Sequence, residues 1–246
     1  MGIADLHLHS VYSKDGTASI EAILWQAKVR ELDIIAITDH NNMRGVPEAL
    51  TLMNKYDLQV IPGVEISTAD GHLLAYEINH PLPPRLPMKD TVLRIHELGG
   101  FCMIPHPMSL GADAIRREVI RDALQDPDIA ETIIGIEVIN GGLLRRNQQA
   151  ANLPQELNLA PVANSDSHNI LSVGRAATEF TGHTILDLKK ALRERNTKPV
   201  WKHRLWDPVY YLLHTGFRLF RQIGFGMGLD ENHQRLSMYP LHELKN

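Results

Sequence analysis

Imidazole and carboxylate side chains near the start of the chain have the types and spacing of metal ligands. His7 and His9 alternate with Leu8 at the end of an apolar run, and Asp15 follows a few residues later. Side chains repeat with period two along a strand, so both imidazoles would face the same side. Neutral imidazole is the commonest metal ligand in proteins. The pair therefore indicates a metal site, and an ordinary polar strand end is the alternative.

The segments that must position these residues alternate between short apolar runs and longer stretches with helical period. The predicted strands are residues 3–8, 34–38, 60–66, 73–78, 101–105, 133–139 and 161–165. The predicted helices are residues 19–32, 46–56, 89–98, 112–125, 143–152 and 184–195. This order favours an α/β fold whose mostly parallel sheet closes, or nearly closes, into a barrel. Strands 60–66 and 73–78 flank turn residues, which predicts a hairpin that interrupts the parallel order.

Further candidate ligands stand where predicted strands end. These positions are held by His7, His9, His40, Glu65, His106, Asp166 and His168, while His72 opens the strand after the hairpin. In barrel enzymes the carboxyl ends of the strands carry the active site. Histidines such as His96 and His183 fall elsewhere, so strand-end placement is not the rule for this residue type here. The sequence therefore predicts one rim that gathers the metal-ligating side chains.

These motifs, in this order, resemble the PHP (polymerase and histidinol phosphatase) family of metal-dependent phosphoesterases over residues 1–198. The matching segments are His7-Leu8-His9, Ser13-Lys14-Asp15-Gly16, Thr38-Asp39-His40, Gly63-Val64-Glu65-Ile66-Ser67, Gly71-His72-Leu73-Leu74, Pro105-His106-Pro107 and Ser165-Asp166-Ser167-His168. The resemblance implies a distorted (β/α)7 TIM-like barrel with two or three divalent metal ions at its mouth.

The resemblance also implies a distribution of ligands. One ion would be held by His7, His9, Glu65 and Asp166, a second by Glu65, His72 and His106, and a third by Asp15, His40 and His168. Some relatives have histidine in place of Asp15. The family commonly has an arginine soon after the asparagine of the sixth strand, but here two glycines follow Asn140. A phosphate-binding role for that loop then passes to Arg145 or Arg146, or is absent.

The implied reaction is hydrolysis of a phosphate ester, a small-molecule or nucleotide phosphomonoester, by a hydroxide that bridges the metal ions. Divalent cations stabilise the charge that develops on phosphoryl oxygens and lower the pKa of bound water. Mixed imidazole and carboxylate ligands suit Zn²⁺, Mn²⁺ or Fe²⁺. The alternatives are a phosphodiesterase or 3′–5′ exonuclease acting on short oligonucleotides or cyclic phosphates, and a non-catalytic metal-binding module.

Several other charged residues belong with the predicted rim. Asp39 is expected to orient a metal-bound imidazole or to shape its turn. Arg175 and Arg145 are predicted to bind phosphate, because a guanidinium matches phosphate with two parallel hydrogen bonds. For Arg175 the alternative is a surface or ion-paired role. Glu137 ends a strand on the same rim, and we expect it to be structural or to support a ligand.

Bulk composition limits the partners and the location. A chain of 246 residues that is 43% hydrophobic can bury a full core, and its single cysteine, Cys102, excludes a disulfide framework. The formal charge of −4 provides no overall basic field, so long nucleic acids are not expected as partners. The first residues contain no signal or membrane-spanning pattern, which predicts a cytoplasmic protein. The partner that the resemblance implies is a small phosphorylated substrate.

The chain is expected to divide into a barrel domain, residues 1–198, and a C-terminal extension, residues 199–246. In the extension, Asp207-Pro208 predicts the start of a helix with an apolar stripe and several basic residues. That helix would pack on the barrel or on another subunit of an oligomer, or would contact an anionic membrane surface peripherally. The glycine run at residues 224–228 is expected to be flexible chain.

Overall fold

Short runs rich in branched apolar residues form the strands of a single sheet in the computed structural model, which describes residues 1–109, 113–142 and 150–202. The strands are β1 (Gly2–Leu8), β2 (Ile34–Ile37), β3 (Gln59–Ser67), β4 (His72–Tyr76), β5 (Phe101–Ile104), β6 (Ile133–Asn140), β7 (Ala160–Asn164), β8 (Ala176–Phe180) and β9 (Thr197–Trp201). Their order in the sheet is β7-β6-β5-β4-β3-β2-β1-β8-β9.

Helices connect most of the strands. They are α1 (Ile20–Val29), α2 (Gly45–Leu52), α3 (Met88–Glu97), α4 (Arg117–Ala123), α5 (Pro127–Thr132), α6 (Leu153–Leu157) and α7 (Ile185–Arg193), with 3₁₀ turns at Met53–Tyr56 and Ile170–Ser172. Side-chain caps fix several starts: the Ser19 hydroxyl accepts the Ala22 N–H before α1, and Thr184 forms a capping box with Asp187 before α7. None of the helices in these ranges has the length and apolar content needed to cross a membrane.

The sheet is mixed. Strands β1, β2 and β3 pair in parallel, as do β5, β6 and β7. Between these two groups β4 runs antiparallel to both β3 and β5, which confirms the predicted hairpin. At the other edge β8 runs antiparallel to β1, and β9 runs antiparallel to β8. The carboxyl ends of the parallel strands therefore meet on one rim.

Side-chain hydrogen bonds, rather than a full ladder, join β7 to β1 and β8. The Asn164 side-chain carbonyl accepts the Leu6 N–H at 2.8 Å, and the Thr178 hydroxyl accepts the Ala163 N–H at 2.9 Å. Beyond the strand ends, Leu8 forms an isolated parallel bridge with Ser167. The sheet thus curls into a nearly closed barrel, as predicted.

Apolar side chains fill the barrel and cover its outside. Ala4, Leu6 and Tyr76 belong to an interior cluster that α7 closes at one end. Leu8, by contrast, packs outward with α1. The register of β1 against β2 shifts between Asp5 and Leu8, so the alternation of faces changes there. This irregularity lets Leu6 fill the barrel while His7 still points to the rim.

Some predicted elements differ from the structure. The predicted helix 112–125 is shorter, since α4 begins at Arg117, and a second short helix, α5, follows it. The predicted helix 46–56 tightens into a 3₁₀ turn at Met53. Strands β8 and β9 were not predicted, and β9 crosses the expected boundary at residue 198. The division into two domains stays a prediction. Most of the predicted helix 143–152 and the whole segment from residue 203 lie outside the described residues.

Candidate metal centre

Glu65, near the end of β3, lies at the middle of the histidine cluster. Its Oε1 is 2.9 Å from His72 Nδ1 and 3.2 Å from His106 Nε2. Its Oε2 faces three more imidazoles: it is 3.3 Å from His7 Nε2, 3.2 Å from His9 Nε2 and 3.1 Å from His40 Nδ1. One buried carboxylate thus contacts five of the six predicted imidazole ligands.

Asp166 and Asp15 connect the remaining members. Asp166 Oδ1 lies 3.3 Å from the Nε2 atoms of both His7 and His9, and 3.6 Å from His168 Nδ1. Asp15 Oδ2 lies 3.2 Å from His168 Nε2 and 3.4 Å from His40 Nε2. All nine predicted ligands therefore belong to one continuous set of contacts on the rim.

Local backbone conformation places several of these residues. His40 follows β2 and forms an isolated parallel bridge with Glu65, so the two residues stay in register. His106 and Asp166 have φ values of 29° and 48°, in the left-handed region that non-glycine residues rarely adopt. Such strained conformations persist where the surroundings hold them and are frequent at functional sites.

The cluster has a buried floor and a partly exposed edge. The side chains of His7, His9 and Glu65 are 0–1% exposed, whereas those of Asp15 and His72 are 24% and 14% exposed. A ligand from solvent can therefore reach the cluster from the side of Asp15 and His72.

Charge strongly affects the protonation of the buried floor. Burial alone would lower the pKa of His9, but the Asp166 and Glu65 carboxylates raise that pKa to about 10. Burial likewise opposes protonation of His7, and the negative charges of Asp166, Glu65 and Glu137 raise its pKa well above the ordinary value. The pocket thus favours positive charge at the positions of these imidazoles.

The carboxylates respond in the opposite direction. Burial would raise the pKa of Glu65 and that of Asp166, but the neighbouring histidines lower both values well below the ordinary range. For Asp39 burial prevails and raises the pKa to about 6. Glu65 and Asp166 are therefore held in their ionised, metal-ligating form.

Unsatisfied nitrogen atoms test whether these residues suit metal ions. Among the described residues, His7 Nε2, His9 Nε2, His40 Nδ1 and His106 Nδ1 are buried without an aligned hydrogen bond. Buried polar atoms in native proteins almost always have a partner. The first three of these nitrogens face carboxylate oxygens, and the donor set of imidazole and carboxylate suits a transition-metal ion. The imidazoles and carboxylates of the cluster are therefore suited to bind divalent cations.

Ligand atoms that lie within 4.8 Å of one another form four groups among the described residues. The groups are His9, Asp15, His40 and His168; His7, His9 and Asp166; His7, Glu65 and His106; and His40, Glu65 and His72. The first group contains the three residues expected to hold the third ion, and the second contains three of the four expected to hold the first; both assignments stay predictions. His72 and His106 contact the same oxygen of Glu65 but fall in different groups, so their sharing of a second ion stays a prediction.

Two predicted supporting residues occupy different positions around the cluster. Asp39 accepts the backbone N–H and the hydroxyl of Ser10 at 2.6 Å and 2.7 Å, so it shapes the turn after β1. Glu137 contacts His7 Nδ1 at 2.9 Å. Asn140 and Asn164, which the sequence did not single out as site residues, both donate to Glu137. The only feature of the sequence that could have indicated these two asparagines is their position, because each is the last residue of a strand.

The predicted phosphate-binding arginines have different outcomes. Arg175 is 9% exposed, and its guanidinium carbon lies 5.5 Å from the centre of the Trp201 ring. Its role in substrate binding stays a prediction. Arg145 and Arg146 lie outside the described residues. Cys102 is buried in β5, and burial raises the pKa of its thiol well above the ordinary value, as expected for a core residue.

Comparison with known proteins identifies the family. A sequence model of the PHP domain matches residues 5–138, more than half of the chain, and one described as PHP-associated matches residues 145–197. The chain belongs to the PHP domain family.

Individual relatives of this PHP domain differ in size. An uncharacterised protein of Methanocaldococcus jannaschii is 33% identical over 147 residues, which are 56% of this chain and 81% of that protein. A phosphoribosyl 1,2-cyclic phosphate 1,2-diphosphodiesterase of Eggerthella lenta is 38% identical over 68 residues, 28% of this chain and 26% of the enzyme. A PolC-type DNA polymerase III of Listeria welshimeri is 42% identical over 79 residues, 31% of this chain but only 6% of the polymerase.

Solved structures support the fold. A two-domain protein of Bacteroides vulgatus, described as containing a predicted PHP-like metal-dependent phosphoesterase, superposes with a TM-score of 0.68 at 23% identity. The superposition covers 81% of this chain and 64% of that one. At this level of identity the likeness supports the barrel architecture and nothing more.

Proposed function

We propose that this PHP domain hydrolyses a small phosphomonoester with two or three divalent ions held by the cluster around Glu65. The observation that carries the proposal is the arrangement of that carboxylate, whose two oxygens contact five imidazoles within 3.3 Å. A single carboxylate that faces imidazoles from both oxygens is suited to bridge neighbouring cations.

The proposed ligands follow the contacts. His7, His9, Glu65 and Asp166 would hold one ion, Glu65 with His72 and His106 a second, and Asp15 with His40 and His168 a third. When bound, Zn²⁺, Mn²⁺ or Fe²⁺ would supply positive charge for the phosphoryl oxygens and would activate water at neutral pH. The ionised state of Glu65 and Asp166 keeps lone pairs on the donor atoms.

The chain itself contributes orientation and access. His7 and His9 are enclosed, so their rings cannot rotate freely, and their Nε2 atoms both point towards Glu65 and Asp166. The substrate would enter over the partly exposed Asp15 and His72. Fixed donors aimed at one point require no reorganisation when the reaction occurs. Arg175 and Arg145 are the proposed cations for a distal phosphate oxygen.

One loop beside this entrance is a candidate for substrate selection. The backbone N–H of Arg85 donates to the Ser67 carbonyl at 2.7 Å, and the Met88 N–H donates to the Asp70 carboxylate at 2.8 Å. These bonds hold the proline-rich segment 79–89 against the turn between β3 and β4, directly after Glu65. A loop fixed there can restrict which ester reaches the cluster.

A diesterase is the second candidate. The match to a cyclic phosphate diphosphodiesterase of Eggerthella lenta supports a diester as the alternative substrate, and the match to a PolC-type DNA polymerase is consistent with a nucleotide diester. The net charge of −4 still gives no general attraction for long nucleic acid, so short oligonucleotides or cyclic phosphates are the diesters we propose.

Metal analysis combined with a substrate panel tests the proposal. The purified protein would be loaded separately with Zn²⁺, Mn²⁺ and Fe²⁺, and its metal content measured before assays with mono- and diesters of nucleotides and sugars. We expect at least two ions per chain and turnover of a monoester. His9→Ala and Asp166→Ala should abolish turnover while the fold persists, and His96→Ala, outside the cluster, should retain it.

The possible outcomes separate the alternatives. Turnover of diesters alone would establish the second candidate. Bound metals without turnover of any ester would favour a non-catalytic module. Unchanged activity in His9→Ala or Asp166→Ala, or a wild-type protein that binds no divalent ion, would overturn the proposal.

A further inference from the structure

The Glu137 carboxylate lies beneath the cluster and is completely enclosed. Each of its oxygens has two hydrogen-bond partners. Oε1 is 2.9 Å from His7 Nδ1 and 2.9 Å from the Asn164 amide nitrogen, while Oε2 accepts the His106 backbone N–H at 2.7 Å and the Asn140 amide at 2.8 Å. This one side chain therefore links β1, β6, β7 and the end of β5.

The direction of these hydrogen bonds is fixed by the partners. The side-chain carbonyl of Asn164 accepts the Leu6 N–H, and the side-chain carbonyl of Asn140 accepts the Gly142 N–H, so both amide nitrogens must point towards Glu137. The His106 backbone N–H can only donate. Three of the four partners thus require an acceptor, and both oxygens of Glu137 already serve as acceptors before His7 is considered.

The fourth contact defines the chemistry of His7. Since the Glu137 oxygens act as acceptors, His7 Nδ1 must carry the proton that it shares with Oε1. The lone pair of the neutral ring then lies on Nε2, which is 3.3 Å from both Glu65 and Asp166. A metal-ligating imidazole usually donates its other N–H to a carboxylate, which fixes both tautomer and orientation.

The other oxygen holds the backbone of a second predicted ligand. His106 stands between two prolines with φ of 29°, a conformation that its own side chain disfavours. Donation of its N–H to Glu137 Oε2 secures that backbone, and the same residue places Nε2 at 3.2 Å from Glu65. The single carboxylate of Glu137 therefore positions both His7 and His106.

We propose that Glu137 is a positioning residue of the metal centre, which sets the tautomer of His7 and the backbone of His106 without itself binding an ion. The inference rests on the proposed function, because it assumes that His7 and His106 bind metal. It also explains why a carboxylate stands between Ile136 and Val138 in β6 (Ile133–Asn140).

Glu137→Gln tests the proposal with almost no change of shape. Glutamine has one acceptor oxygen for four donors, and its amide nitrogen would face either His7 or His106. We expect the affinity for the most tightly bound Zn²⁺ to fall about 10- to 100-fold, measured by competition with a chelator. In ¹⁵N spectra of the Zn²⁺-loaded variant, the His7 ring should show a changed tautomer.

Thr178→Val provides a matched control, because it also removes a buried hydrogen-bonding group without changing shape. Thr178 bonds only to the backbone of Ala163 in the described part of the chain, at 2.9 Å, outside the cluster. We expect it to lower the free energy of unfolding while the Zn²⁺ affinity and the His7 spectrum remain those of the wild type.

The wild-type spectrum gives an answer even where Glu137→Gln does not fold. Zn²⁺-loaded wild-type protein should show His7 protonated at Nδ1, and a proton at Nε2 would refute the proposal. Equal Zn²⁺ affinity in Glu137→Gln and the wild type would refute it too, as would an equal loss in Thr178→Val. A wild-type protein that binds no Zn²⁺, Mn²⁺ or Fe²⁺ would instead overturn the proposed function, and this inference with it.

Discussion

Gly16 occupies a position where even one methyl group has no room. An ideal Cβ on this residue would lie 1.8 Å from the carbonyl oxygen of Ser10, whereas ordinary contacts begin at 3.4 Å. The two backbone segments would therefore have to separate by about 1.6 Å. Neighbouring bonds oppose this movement, because the Thr17 N–H and hydroxyl both donate to the His168 carbonyl, at 3.0 Å and 2.8 Å.

The displacement would be transmitted to the next residue, Asp15, whose carboxylate lies 3.2 Å from His168 and 3.4 Å from His40. A misplacement of about 1 Å can reduce catalysis about 100-fold. We therefore expect Gly16→Ala to lose the ion that Asp15, His40 and His168 would bind, and to lower kcat/KM for a phosphate ester by about 100-fold. Metal content per chain and steady-state kinetics would measure both effects.

Gly99→Ala is the matched control for this experiment. Gly99 follows α3 with φ of +75°, and apart from its two chain neighbours no described residue has an atom within 4 Å of an added Cβ. Alanine there costs about 1–2 kcal/mol of backbone strain, so the variant loses stability for a reason unrelated to the rim. Metal content and kinetics should match those of the wild type. A Gly16→Ala protein that retains every ion and full activity would refute the reasoning. An equal loss of metal content and activity in Gly99→Ala would show that reduced stability, and not the geometry of the rim, causes the effect.

Three further predictions concern the pH dependence of metal affinity, the pH dependence of stability, and core packing. In the metal-free protein Glu65 and Asp166 keep His9 protonated to about pH 10, so metal binding must displace that proton. The affinity for a divalent metal ion should therefore rise with pH. Calorimetry in buffers of different ionisation enthalpy should detect the released proton, and a metal affinity that does not depend on pH would contradict this prediction. The metal-free protein should also lose stability as pH rises from 6.5 through about 10, because the charged imidazole stabilises the fold only while it keeps its proton. Tyr76→Phe removes the 2.8 Å hydrogen bond to the Leu6 carbonyl and should lower the free energy of unfolding by about 1 kcal/mol. The Tm should fall by about 2–4 °C while the metal content stays that of the wild type. An unchanged Tm would contradict this prediction.

Periodicity and strand ends were sufficient to predict which side chains meet. The alternation of His7 and His9 has a local cause, the period of two along a strand, and both Nε2 atoms do face Glu65 and Asp166. The hairpin before His72 also has a local cause, since turn residues separate two apolar runs. Such features depend on neighbours in the sequence, so the sequence alone indicates them.

Features that depend on distant pairing were not predictable in the same way. Strand β8 (Ala176–Phe180) contains two alanines and a glutamate, and β9 (Thr197–Trp201) contains a lysine and a proline. Neither has a strong local strand pattern. They are strands because β1 and then β8 offer them antiparallel partners. The grouping of His72 with His40, rather than with His106, likewise depends on distances across the barrel.

Two of the residues that join β7 to β1, Asn164 and Asp5, also orient the proposed metal ligands. Asn164 joins β7 to β1 through the Leu6 N–H, and its amide nitrogen donates to Glu137, which contacts His7. Asp5 accepts the Ser165 N–H at 2.9 Å, directly before the ligand Asp166. Because these two residues serve both closure and ligand orientation, substitution of Asn164 or Asp5 should change stability and metal affinity together. Gly16 lies in a loop outside these hydrogen bonds. Its substitution should therefore change the geometry of the rim while the barrel stays closed.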